Sequence, residues 1–92
     1  MAKKIDSVAI DAHTAIHGEK RKAYGPVNES FHKIATIASI GCNKEITDED
    51  VCRILLAVKY VRESYNHQRD NLVDICGYAD LLQQLFESPY SD

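Results

Sequence analysis

Ninety-two residues, 45% hydrophobic and 27% charged with a formal net charge of -3, fit one globular domain and exclude a disordered acidic or basic chain. No stretch approaches the roughly 20 apolar residues of a membrane span, the N-terminus lacks the apolar run of a signal peptide, and the longest cationic run is Lys20, Arg21, Lys22. The expectation is a cytoplasmic protein with neither membrane nor general nucleic-acid partners, and, because so small a domain buries a limited share of its surface, a homo-oligomer.

In chain order, Ile5, Val8, Ala9, Ala12, Ala15 and Ile16 recur at three- and four-residue steps, which predicts an amphipathic helix over about 4–18. Gly25-Pro26 ends that region, since proline turns the residue before it away from helix. A second helix over 27–41 carries Val27, Phe31, Ile34, Ala35 and Ala38, with Asn28 as its expected cap. Thr47 opens a third over 48–65, where Asp48, Glu49 and Asp50 complement the helix dipole. Its expected core stripe is Val51, Ile54, Leu55, Val58, Val61 and Tyr65. A fourth helix over 70–87 carries Leu72, Ile75, Cys76, Ala79, Leu82 and Phe86. No run alternates with period two, so the fold class is all-α: an antiparallel four-helix bundle in a single domain.

The charges of the third and fourth helices organise the functional reading. Lys59 and Arg62 are an i,i+3 pair and Asp70 and Asp74 an i,i+4 pair, so each pair shares a helical face. Folding back about Asn66–Arg69 is expected to bring Arg62 near Asp74, with Lys59 a turn deeper. Four charges on one inner surface make either an internal ion-pair lock or a ligand site. A Lys and an Arg together suit oxyanions. Arg21, Tyr24, Gly25 and Asn28, at the junction of two helices, form either a pocket lip or an ordinary basic turn.

Other candidates carry less. His13 and His17 have zinc-like i,i+4 spacing but no third ligand, and Glu29 with His32 is half of a di-iron pattern whose other half is missing. Three cysteines without CxxC spacing support neither a disulfide nor a zinc framework, and Cys52 and Cys76 read as small core residues.

Four segments, Arg21–Ala35, Glu45–Val51, Leu55–Arg62 and Asp70–Leu82, resemble a family of short phage and prophage proteins described as a domain of unknown function. The order of YG, KxxR and DxxxDxxGY carries that resemblance from Gly18 onward. The pattern also looks distantly like the MazG-type all-α nucleotide pyrophosphohydrolases, whose ExxE and later ExxD hold magnesium against a nucleoside triphosphate. Here Lys59 and Arg62 stand where the first acidic pair belongs, and Asp70 and Asp74 remain to represent the second.

The resemblance implies a nucleotide-sized cleft in which cations replace the metal. The implied function is sequestration, without cleavage, of a nucleotide or cyclic-nucleotide signal of a host defence system. Arg21, Lys59 and Arg62 would contact phosphate, Tyr24 and Tyr78 the base, and Asp70 and Asp74 the cations or ribose. No cofactor is implied by that reading. One alternative is a magnesium-dependent pyrophosphohydrolase using Asp70, Asp74 and either Glu29 or Glu63; another is a protein-binding inhibitor of a host factor whose charges are structural.

Overall fold

The computed structural model describes residues 7–17 and 26–91. Among the described residues four helices pack against one another, α1 (Val8–His17), α2 (Val27–Cys42), α3 (Asp48–Tyr65) and α4 (Arg69–Glu87), and there is no strand.

Helix α4 is the element the others share. It packs along α3 and α1 and touches α2. The α3–α4 pair is a hairpin joined by Asn66, His67 and Gln68, and its antiparallel register is fixed by three contacts between residues about equally far from that turn. Glu63 meets Asn71, Lys59 meets Asp74, and the Cys52 thiol donates to the Tyr78 carbonyl at 3.1 Å.

Helix α3 begins with a reciprocal cap. The Asp50 N–H donates to Thr47 Oγ1 and the Thr47 N–H to Asp50 Oδ2, each at 3.0 Å, so two of the orphan donors at the helix start are satisfied. The bond from the Thr47 N–H holds the Asp50 carboxyl below its usual range. The expected cap of α2 is different: Pro26 holds that position, and Asn28 lies inside the first turn, where its Nδ2 donates to the Ser88 carbonyl at 3.2 Å. At the other end of α2, Asn43 takes the left-handed conformation (φ 51°), which asparagine tolerates, and closes the helix onto the Ile40 carbonyl.

The core is Val27, Phe31, Ala35, Val51, Cys52 and Leu85, with Ile46, Leu55, Tyr78, Leu81 and Leu82 packed against it; Ala12 and Ile16 seat α1. It differs from the expected stripes in every helix: Ala9 and Ala15 of α1 and Ile34 of α2 are exposed, and the larger differences are in α3 and α4. Only Val51 and Leu55 of the six residues assigned to α3 belong to it; Ile54, Val58, Val61 and Tyr65 are exposed. The inward face is rotated toward Cys52, Lys59 and Glu63, the residues whose side chains reach α4. In α4 the deepest side chain is Leu85, while Phe86 and Ala79 face outward.

Candidate functional site

Two adjoining recesses open on the α1 side of α4. One, about 380 Å³, is lined by Ala12, Ala15, Ile16, Val73, Asp74, Gly77, Tyr78 and Leu81. The other, about 310 Å³, shares Ala15, Ile16, Tyr78 and Leu81 and continues onto Val27, Ser30, Phe31 and Leu55. Both volumes fall at the lower end of the range for small-molecule sites, roughly 300–1,000 Å³. Their walls are mainly apolar, and Asp74, Tyr78 and Ser30 supply the side-chain polar groups.

The local sequence explains why the recess lies there. Asp74, Gly77, Tyr78 and Leu81 recur at three- and four-residue steps, so they share one face of α4. Gly77 faces α1: a Cβ built there would stand 3.4 Å from Ile16 Cδ1, the flexible end of that side chain. Leu81 and Tyr78 then wall the space that Gly77 leaves.

Lys59 Nζ lies 2.9 Å from Asp74 Oδ2, at the recess edge. Both groups keep water contact, with side-chain exposures of 23% and 41%, so this is a half-open ion pair, worth little as a source of stability. Arg62 does not take the expected place beside Asp74. Asp74 pairs with Lys59 instead; Arg62 is exposed, as is Asp70 in the first turn of α4. The reason is angular. Residues on a helix step about 100° apart, and with Glu63 turned toward Asn71 its neighbour Arg62 is carried off the α4-facing side while Lys59, one turn back from Glu63, stays on it.

Glu63 is the charged residue that sequence reasoning left in a secondary role. Its Oε1 accepts from the Gln68 N–H at 3.0 Å and from Asn71 Nδ2 at 3.3 Å, and Oε2 bonds His67 Nδ1. The His67 bond first, then that from Gln68, holds its carboxyl below the usual range. Glu63 therefore ties the hairpin turn and the start of α4 together. The signal was available: a carboxylate five residues before an uncapped helix start can reach its free N–H groups.

The remaining candidates are distributed. Arg21, Tyr24 and Gly25 lie outside the described residues, in the segment joining the ends of α1 and α2 that border the recess. Asn28 is engaged by the C-terminal tail. The His13 and His17 rings stand 4.5 Å apart, and His17 Nε2 is 3.3 Å from Asp80 Oδ2. Glu29 pairs with Lys33 at 3.3 Å, and His32 Nδ1 lies 3.1 Å from Asp48. Among the described residues no three His, Cys, Asp or Glu side chains converge on a point a metal ion could occupy. No helix among the described residues is long and apolar enough to cross a membrane.

Known proteins resemble the chain over nearly its whole length. It is 35% identical over 85 residues to the Gene 55 protein of Mycobacterium phage D29, covering 91% of this chain and 56% of that protein. It is 32% identical over 81 residues to the Gene 55 protein of Mycobacterium phage L5, covering 86% and 52%. The chain thus spans about half the length of these phage relatives. No solved structure matches it at a significant level. A family model matches residues 7–86, the span that contains all four helices but the last residue of α4, and by that match the chain belongs to the family described as Domain of unknown function (DUF6378).

Proposed function

We propose that this protein binds a nucleotide, or a cyclic-nucleotide signal of a bacterial defence system, and holds it without cleaving it. The observation that carries the reading is the α1–α4 recess, where an apolar wall with the Tyr78 side chain meets Asp74, which is itself paired with Lys59. A base packs on such a wall, and a phosphate beside the rim can recruit Lys59 away from a pair that is half open to water. Arg62, an exposed cation one turn along the same helix, adds a second donor to a flexible phosphate. Arg21 and Tyr24, outside the described residues, would supply a further phosphate contact and a base contact. The relatives are phage proteins whose names say nothing of a ligand.

Hydrolysis is the less supported reading. Its magnesium would have to be held by Asp70 and Asp74, of which Asp74 is engaged by an ammonium. Isothermal titration against mononucleotides, cyclic dinucleotides and ADP-ribose derivatives tests the proposal. Binding that weakens in Lys59→Ala and Arg62→Ala, with the nucleotide recovered intact, supports it. No binding across the panel, or metal-dependent release of pyrophosphate that stops in Asp74→Asn, overturns it.

A further inference from the structure

Helix α3 carries two apolar faces, and the fold uses one of them. Val51, Cys52 and Leu55 enter the core, whereas Ile54, Val58, Val61 and Tyr65 stay 54%, 39%, 51% and 87% exposed. Their spacing of four, three and four residues is the seam of a helix pair, in which alternate steps of three and four keep side chains on one line facing a second helix. The line runs about 17 Å along α3 at 1.5 Å per residue. Single exposed apolar side chains need no explanation, but an ordered row of four on one helix does.

The rest of the molecule is short of core. Its radius of gyration is 14.8 Å, against about 12 Å for a compact chain of this length, and its extents are 55 × 30 × 21 Å. Ile34, Ile37 and Ile40 on α2 are exposed as well.

We propose that the Ile54–Val58–Val61–Tyr65 seam docks on the same seam of a second copy, with the two α3 helices antiparallel about a two-fold axis between Val58 and Val61. The seam is complementary to itself in that arrangement: Val58 of each copy faces the partner's Val61, and Ile54 faces the partner's Tyr65, so the large ring packs at the ends and the small side chains at the centre. Ala57 and Ser64 flank the seam and allow close approach. Four part-exposed side chains on each copy bury less than the roughly 1,200 Å² of a stable specific interface, so the contact is a weak one and the dimer dissociates on dilution. Nothing in this inference depends on the nucleotide reading.

Sedimentation velocity of the full chain across a dilution series is the test. The expected result is a monomer–dimer equilibrium with a micromolar dissociation constant. Val58→Glu and Val61→Glu are each expected to weaken it at least 100-fold, while the circular dichroism spectrum, and the Tm measured at concentrations where the original chain is monomeric, stay unchanged because both side chains are exposed in the monomer. Ile37→Glu on α2 leaves it intact. In a Cys42→Ser background, Val58→Cys mixed with Val61→Cys gives more cross-linked heterodimer than either variant gives homodimer, which a parallel pair would reverse. A chain that stays monomeric at several hundred micromolar overturns the proposal, whether another protein covers the seam or nothing does. So does a dimer that survives both glutamate variants.

Discussion

Lys59 and Asp74 face each other across the α3–α4 hairpin at 2.9 Å, close enough for a charge-assisted hydrogen bond yet open to water on both sides. Such a pair contributes about 0–1 kcal/mol. Lys59→Ala is therefore expected to leave Tm nearly unchanged while lowering nucleotide affinity about tenfold, the worth of one hydrogen bond to a charged group. Thermal melts and titrations on the same preparation separate the two effects. A large loss of stability with unchanged binding would mark the pair as purely structural.

Glu63 sets an acid limit on the hairpin. Its carboxyl is held below the ordinary glutamate value of 4.5 by His67 and the Gln68 N–H, so the folded state binds this proton less readily than the unfolded chain does. The stability it provides is complete above about that ordinary value and is lost as pH falls through the lower folded one. Urea midpoints measured from pH 7 downward are expected to drop in that acidic window. Glu63→Gln should start from a lower midpoint at pH 7 and show a shallower acid dependence. Parallel curves for the two proteins would show that Glu63 does not couple folding to protons.

The helices could be seen in the sequence because their apolar periodicity is independent of what they pack against. The start of α3 was visible for a related reason: Thr47 and Asp50 cap each other within four residues. What periodicity cannot supply is the choice between two apolar faces of one helix. Val51 and Leu55 point one way and Ile54, Val58, Val61 and Tyr65 another, and one broad stripe contains both sets. The same ambiguity displaced the candidate site. Arg62 and Lys59 are equally plausible partners for Asp74 on spacing alone, and the choice is made by Glu63, whose bonds to Gln68 and Asn71 fix the rotation of α3 about its axis.

Gly77 offers a test of how closely α1 must approach α4. It lies inside a helix, where glycine costs about 1 kcal/mol relative to alanine. An added Cβ would meet the flexible end of Ile16 at 3.4 Å, which a small side-chain adjustment accommodates. Gly77→Ala is expected to raise stability by about 0.5–1 kcal/mol, read as a higher urea midpoint. Gly77→Leu should force α1 outward, lower that midpoint and block the recess. If both variants destabilise equally, α1 tolerates no displacement at all.

The three cysteines should separate kinetically. Burial pushes the Cys52 thiol up to about 11, and its S–H donates to the Tyr78 carbonyl, so at pH 8 it is neither ionised nor accessible. Cys42 is exposed near the end of α2 and Cys76 is half-buried. Labelling with a thiol reagent is expected to proceed in the order Cys42, Cys76, Cys52, the last at the rate of global unfolding and accelerating with urea. Peptide mapping of the labelled protein checks the order. Rapid modification of Cys52 in the absence of denaturant would mean that the α3–α4 hairpin opens locally, and the Lys59–Asp74 pair at the recess edge would open with it.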